Sequence, residues 1–132
     1  CDLGLLVLNT ATPDSYEQVR QCASGHNLSL HDAEKAVLGA THAELGAYMM
    51  GLWGFQDDIV EAVACHHNPS EATESKSIGP LLFTHIADAL VPPCRDNPEP
   101  ARIDTAYVES LGMGEHLSEW QNTAESLISD NQ

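Results

Sequence analysis

The sequence predicts an all-α fold, a helical bundle of about six to seven helices in a single region spanning residues 1–132. Three observations predict it. Apolar residues recur at three- and four-residue steps wherever a segment is long enough to show a period. Helix-start residues open these segments, and glycine or proline closes them. No stretch alternates apolar and polar residues between hairpin turns, and no internal repeat is visible. The chain has 132 residues, the size of one domain, and 42% of them are hydrophobic, enough for a real core.

The elements follow in chain order. The opening run CDLGLLVL is continuously apolar and suits a buried helix end as well as a strand. Residues 13–25 read as a helix with Asp14 or Ser15 as N-cap, Tyr16, Val19 and Cys22 turned inward, and Gly25 as the stop. Residues 29–39 run from the N-cap Ser29 to Gly39. Residues 41–54 open on a capping box, Thr41-x-x-Glu44, in which each end satisfies an orphan backbone donor of the other. Leu45, Tyr48, Met49 and Leu52 form its expected apolar face, and Gly54 ends it. Residues 56–69 start at Asp57 or Asp58 and are halted by Pro69. A polar connector, 71–77, leads to an apolar helix over 79–93 closed by Pro92-Pro93. A proline-rich loop, 94–103, precedes two amphipathic helices at 104–114 and 115–130.

Charge excludes several function classes. The chain carries 20 acidic and 5 basic residues, a formal charge of -15. A phosphate-backbone binder needs clustered Lys and Arg, so nucleic acid is not an expected partner. An anionic membrane surface is excluded on the same ground. A phosphate-bearing substrate would need a metal ion to offset the repulsion. No apolar run reaches the ~20 residues needed to span a bilayer. Cys1, Cys22, Cys65 and Cys94 show no CxxC spacing, which points to a reducing, cytoplasmic setting.

Seven histidines are many for this length. A lone histidine on an apolar face is more often a core residue with satisfied hydrogen bonds than a ligand. His26, His31 and His116 are given no function on that ground, and His31-Asp32 is read as a helix start. His85 lies in an apolar helix with Asp88 three residues on, and a bond to Asp88 or to a backbone carbonyl would satisfy it. His66 and His67 are adjacent at the end of an apolar helix. Neighbours on a straight helix point about 100° apart, so the two are expected to serve separate roles rather than one ion. Histidines at helix ends, with an Asp on a later helix, suit a place where several helices converge.

The run from His31 to Ala72 resembles the second half of an HDOD domain, a helical relative of the HD phosphohydrolases. The shared elements are Glu34, Leu38-Gly39, His42, Gly46, Trp53, Asp57 or Asp58, His66-His67 and Pro69. The resemblance also casts CDLGLLVL as the HD-motif helix, whose catalytic form reads His-Asp-x-Gly-Lys. Asp2 and Gly4 match it, while Cys1 stands in place of the His and Leu5 in place of the Lys. THIADAL is similar to the helix that supplies a final Asp, here Asp88. The segment after His67 lacks the Gly-Tyr-Pro signature of the related cyclic-di-GMP phosphodiesterases. Residues 98–132 fall outside the resemblance. An apolar start with no initiator Met leads to the expectation that this region lacks the domain's N-terminal half.

The resemblance implies an HD-like bundle acting as a bacterial signal-transduction output module, non-catalytic and working through protein interaction. The implied partners are signalling proteins or an upstream domain of the same protein, with homo-oligomers as a further arrangement. Asp2, His42, His66, His67 and Asp88 are the candidate metal site, a relic that would take a divalent Zn, Mn, Fe or Mg ion if occupied. No cofactor is expected apart from that conditional ion. The alternative is a metal-dependent phosphohydrolase acting on cyclic dinucleotides or phosphate esters. A third reading is structural, with the histidines tying helix ends together by hydrogen bonds.

Overall fold

A computed structural model describes residues 2–72, 77–90 and 102–129. Cys1, Cys94, Pro92-Pro93, most of the 94–103 loop and part of the 71–77 connector lie outside the described residues. Those residues form eight α-helices and no strand. They are α1 (Leu3–Ala11), α2 (Pro13–His26), α3 (Leu30–Leu38), α4 (His42–Leu52), α5 (Asp57–Cys65), α6 (Pro80–Leu90), α7 (Thr105–Ser110) and α8 (Leu117–Ser129). Short 3-10 turns, Pro69–Glu71 and Gly114–His116, follow α5 and precede α8. The all-α bundle is as expected, and the apolar opening run is a helix. None of these helices is long and apolar enough to cross a membrane.

The caps decide the boundaries. Ser29 accepts from the Asp32 backbone N–H at 3.1 Å, and Gly39 closes α3 at φ 77°, a left-handed conformation that glycine adopts without Cβ strain. Thr41 and Glu44 form the capping box reciprocally. α2 differs from expectation at both ends. It starts at Pro13, whose missing N–H costs nothing at the first helical position, with Thr12 rather than Asp14 or Ser15 as N-cap. It runs through Gly25 and stops at Asn27, at φ 53°. Asn tolerates that region, so Gly25 was not needed as the stop.

α4 turns its other face inward. Tyr48 and Leu52 are exposed, while His42, Ala43, Gly46 and Ala47 are buried. The reason is the distance at which α1 crosses α4. A Cβ on Gly4 would stand 1.9 Å from the His42 carbonyl oxygen and 2.9 Å from the Gly46 nitrogen. Backbones this close admit only small residues, and the large apolar side chains are left on the far side.

Two apolar clusters result. Tyr16, Val19, Leu30 and Ala33 form one among α2 and α3, with Leu5 and Leu8 of α1 packed against it. Ala62, Leu81, Leu82, Ile86, Tyr107 and Val108 form the other, among α5, α6 and α7. α4 and α5 pack together between them, α4 against α1 and α5 against α6. The start of α4 and the end of α5 therefore face a seam between two cores.

Candidate metal centre

Three histidines meet in that seam. One ring nitrogen from each of His42, His66 and His67 lies within 4.8 Å of the others. The rings of His66 and His67 have centroids 4.0 Å apart, and His42 sits edge-on to both, at 5.8 and 5.0 Å. Adjacent histidines do converge, contrary to the sequence expectation. That expectation assumed a straight helix as far as Pro69. α5 instead ends at Cys65, His66 caps it, and by Asn68 the backbone has left the helical region at φ -131°, ψ 65°. Pro69 disfavours helical dihedrals at the residue before it, and the 100° spacing of helical neighbours no longer applies.

Each wall of the pocket fixes a ring by its other nitrogen. Glu34 is fully buried, and its carboxylate accepts three hydrogen bonds: from Tyr16 Oη at 3.1 Å, from the His42 backbone N–H at 2.8 Å and from His42 Nδ1 at 2.6 Å. A carboxylate acceptor assigns the His42 proton to Nδ1 and leaves Nε2 with a lone pair. His66 Nδ1 donates to the Val63 carbonyl at 2.8 Å. Its Nε2 then carries a lone pair too, and that atom is buried with no hydrogen-bond partner among the described residues. His67 Nε2 lies 3.0 Å from His42 Nε2. Since His42 offers only an acceptor there, a hydrogen bond between the two rings has His67 as its donor.

Carboxylates stand at the edge. Asp2 Oδ1 is 3.9 Å from His42 Nε2, and Asp88 Oδ2 is 3.6 Å from His67 Nδ1. All five residues singled out from the sequence thus lie around one pocket. Burial pushes His66 down to about 4, against a partial opposing pull from its bond to Val63. Burial, then the neighbouring His66 and His42, hold His67 well below the ordinary range as well. Burial and the nearby Asp2 raise Asp88. At neutral pH both histidines are uncharged, so protons do not compete for their lone pairs.

The donor set suits a divalent ion. Metal-bound histidines characteristically give their second ring N–H to a carboxylate or carbonyl, as His42 and His66 do here. Two nitrogens on tetrahedral zinc stand about 3.3 Å apart, close to the His42–His67 spacing. An orphaned buried nitrogen on the third ring completes the fit.

Three residues gain roles that the sequence reading did not give them. Glu34 was a motif position; it is the group that orients His42, and its place eight residues before His42 was the available signal. His31, set aside as a helix start, has its ring 5.2 Å from that of His67. His85 makes the expected bond to a backbone carbonyl rather than the one to Asp88, and adds a second partner that the sequence did not suggest. Its Nδ1 donates to the His66 carbonyl at 2.6 Å, and its Nε2 accepts from the Asp104 backbone N–H at 2.8 Å. His26 is exposed at the end of α2 beside Cys22, and His116 stacks on Trp120.

A family model for the HDOD domain matches residues 1–69. The chain belongs to the HDOD family. The match holds Asp2, Glu34, His42, His66 and His67 of this HDOD domain, while His85, Asp88 and Asp104 lie beyond it. An uncharacterized protein of Treponema pallidum (strain Nichols) is similar, 25% identical over 83 residues, which is 63% of this chain and 16% of that protein. The chain thus spans a small fraction of that relative's length. No solved structure matches it.

Proposed function

We propose that this HDOD domain is a regulatory output module of signal transduction that works by protein interaction, and that its three-histidine pocket holds a divalent cation as an organising centre rather than a catalytic one. The observation that carries the non-catalytic reading is Leu5. It occupies the position of the lysine in the catalytic HD motif, and its side chain packs with Tyr16 and Val19 instead of offering a cation to a phosphoryl oxygen. Tyr48, Leu52 and Trp53, at 66, 68 and 61% exposure, leave an apolar surface near the end of α4 that supports an interaction role. The partners in this reading are signalling proteins or another domain of the same protein.

His42, His66 and His67 would hold the ion, with Asp2 and Asp88 flanking it. A cation there supplies positive charge and Lewis acidity in an otherwise acidic chain. Holding it requires His67 with its proton on Nδ1, the nitrogen that faces Asp88. Metal analysis of protein purified without chelators is expected to give close to one ion per chain. Incubation of cyclic dinucleotides or generic phosphodiesters with added Mn, Fe, Mg or Zn is expected to give no turnover. Robust metal-dependent turnover that vanishes in Asp2→Ala would replace this reading with the second one, a metal-dependent phosphohydrolase, which the convergence of Asp2 and Asp88 on the histidines favours.

A further inference from the structure

The two nitrogens of His85 are both committed, and neither to the pocket. The ring is buried in α6 with 1% exposure. Nδ1 donates to the carbonyl of His66, the residue at which α5 stops, and Nε2 accepts from the backbone N–H of Asp104, the N-cap of α7. Asp104 is itself held twice. Its carboxylate caps the Tyr107 N–H at 3.0 Å and receives a short hydrogen bond from the Ser70 hydroxyl, in the 3-10 turn that follows His67. A closed circuit results: His66 carbonyl, His85, Asp104, Ser70, and back along the chain to His67.

We propose that His85 is the positioning residue of the three-histidine site, and that α7 acts through it to set how tightly the site holds a divalent ion. The proposal rests on the reading that His42, His66 and His67 bind such an ion. A helix C-terminus leaves its last carbonyls without partners, and the chain beyond it is free to leave in several directions. The bond from His85 satisfies the His66 carbonyl and selects one exit, the one in which the rings of His66 and His67 stand 4.0 Å apart. Asp104 N–H fixes the His85 tautomer, because a ring that accepts at Nε2 must donate at Nδ1. His85 never touches the ion; it determines whether two adjacent side chains can share one. Both His85 and α7 lie beyond the matched residues 1–69, so this control belongs to the C-terminal part of the chain.

The two bonds can be removed separately. In His85→Asn the side-chain amide stands near the Nδ1 position and can still donate to His66. In His85→Gln it stands near the Nε2 position and can still accept from Asp104, but the bond to His66 is lost. Zn(II) affinity of the full chain is measured by competition with a chelator, and the site geometry by the visible absorption of the Co(II) form. His85→Gln is expected to bind about 10–100-fold more weakly, the usual loss when an orienting group behind a ligand is removed, with an altered Co(II) spectrum. His85→Asn is expected to retain most of the affinity and the parental spectrum. Unchanged binding in His85→Gln, or equal loss in both variants with circular dichroism intact, overturns the proposal. Absence of Zn(II) and Co(II) binding in the parent chain overturns the metal reading itself, and this proposal with it. Should both His85 variants fail to fold, Ser70→Ala, on the exposed turn, carries the test: a several-fold weaker site supports the circuit, and unchanged affinity sinks it.

Discussion

The two walls of the pocket do the same work with different chemistry. On the α2–α3 side a fully buried carboxylate, Glu34, collects three donors and aims His42. On the α6–α7 side, among the described residues, no carboxylate hydrogen-bonds His66. A backbone carbonyl takes its Nδ1 proton, and a neutral imidazole, His85, takes its own carbonyl. A buried charge is costly unless every lone pair is occupied, so the first wall is all-or-nothing. The second is a chain of neutral bonds, each worth about 1 kcal/mol net, that can be loosened by degrees. Fixed orientation and adjustable orientation thus face each other across three rings.

That contrast can be broken most sharply at Glu34. Glu34→Ala removes the shared acceptor of the Tyr16 hydroxyl and of both His42 donors, and is expected to cost about 3–5 kcal/mol in urea denaturation. A loss under 1 kcal/mol would show that the first wall is no more rigid than the second.

Acid is expected to come next. His66 has its folded pKa depressed to about 4 from an unfolded value near 6.5. Above pH 6.5 both states leave it neutral and stability is at its plateau. As pH falls toward 4 the unfolded chain takes up the proton and the folded one does not, so stability declines by up to about 1.4 kcal/mol per pH unit for this group. Chelator-treated His66→Phe should show a shallower decline over the same window; identical slopes would remove His66 from the account.

Gly4→Ala is expected to cost about 1–3 kcal/mol, because the new Cβ meets the His42 carbonyl and α1 must move. A neutral thermal shift would contradict the close crossing. Asp104→Ala, in the adjustable wall, is expected to cost about 1 kcal/mol through the lost cap on α7. If it destabilised as much as Glu34→Ala, the distinction between the walls would fall.

How much of this could be read from the sequence depended on distance along the chain. Ser29, Gly39, Thr41 and Glu44 act within a few residues, and each did what its type dictates. Asp2, His42, His66, His67 and Asp88 were legible as a candidate set through residue types in order. Their shared focus was not, because it depends on how the chain turns between Cys65 and Pro69, where the His66 carbonyl also meets His85, nineteen residues later. His31 shows the same limit: beside Asp32 it reads as a helix start, and only the packing of α3 brings it to His67. The inward face of α4 was misjudged because hydrophobicity ranked Tyr48 and Leu52 above Ala43 and Gly46, whereas the contact with α1 selects for size.

The crossing at Gly4 has a mechanical side. With no side chain between the two backbones, α1 and the first turn of α4 have no cushion to absorb sliding. A pull or twist applied to α1 would pass straight into the peptide group of His42, whose ring Glu34 anchors. α1 is then the handle of a lever whose short arm ends on His42.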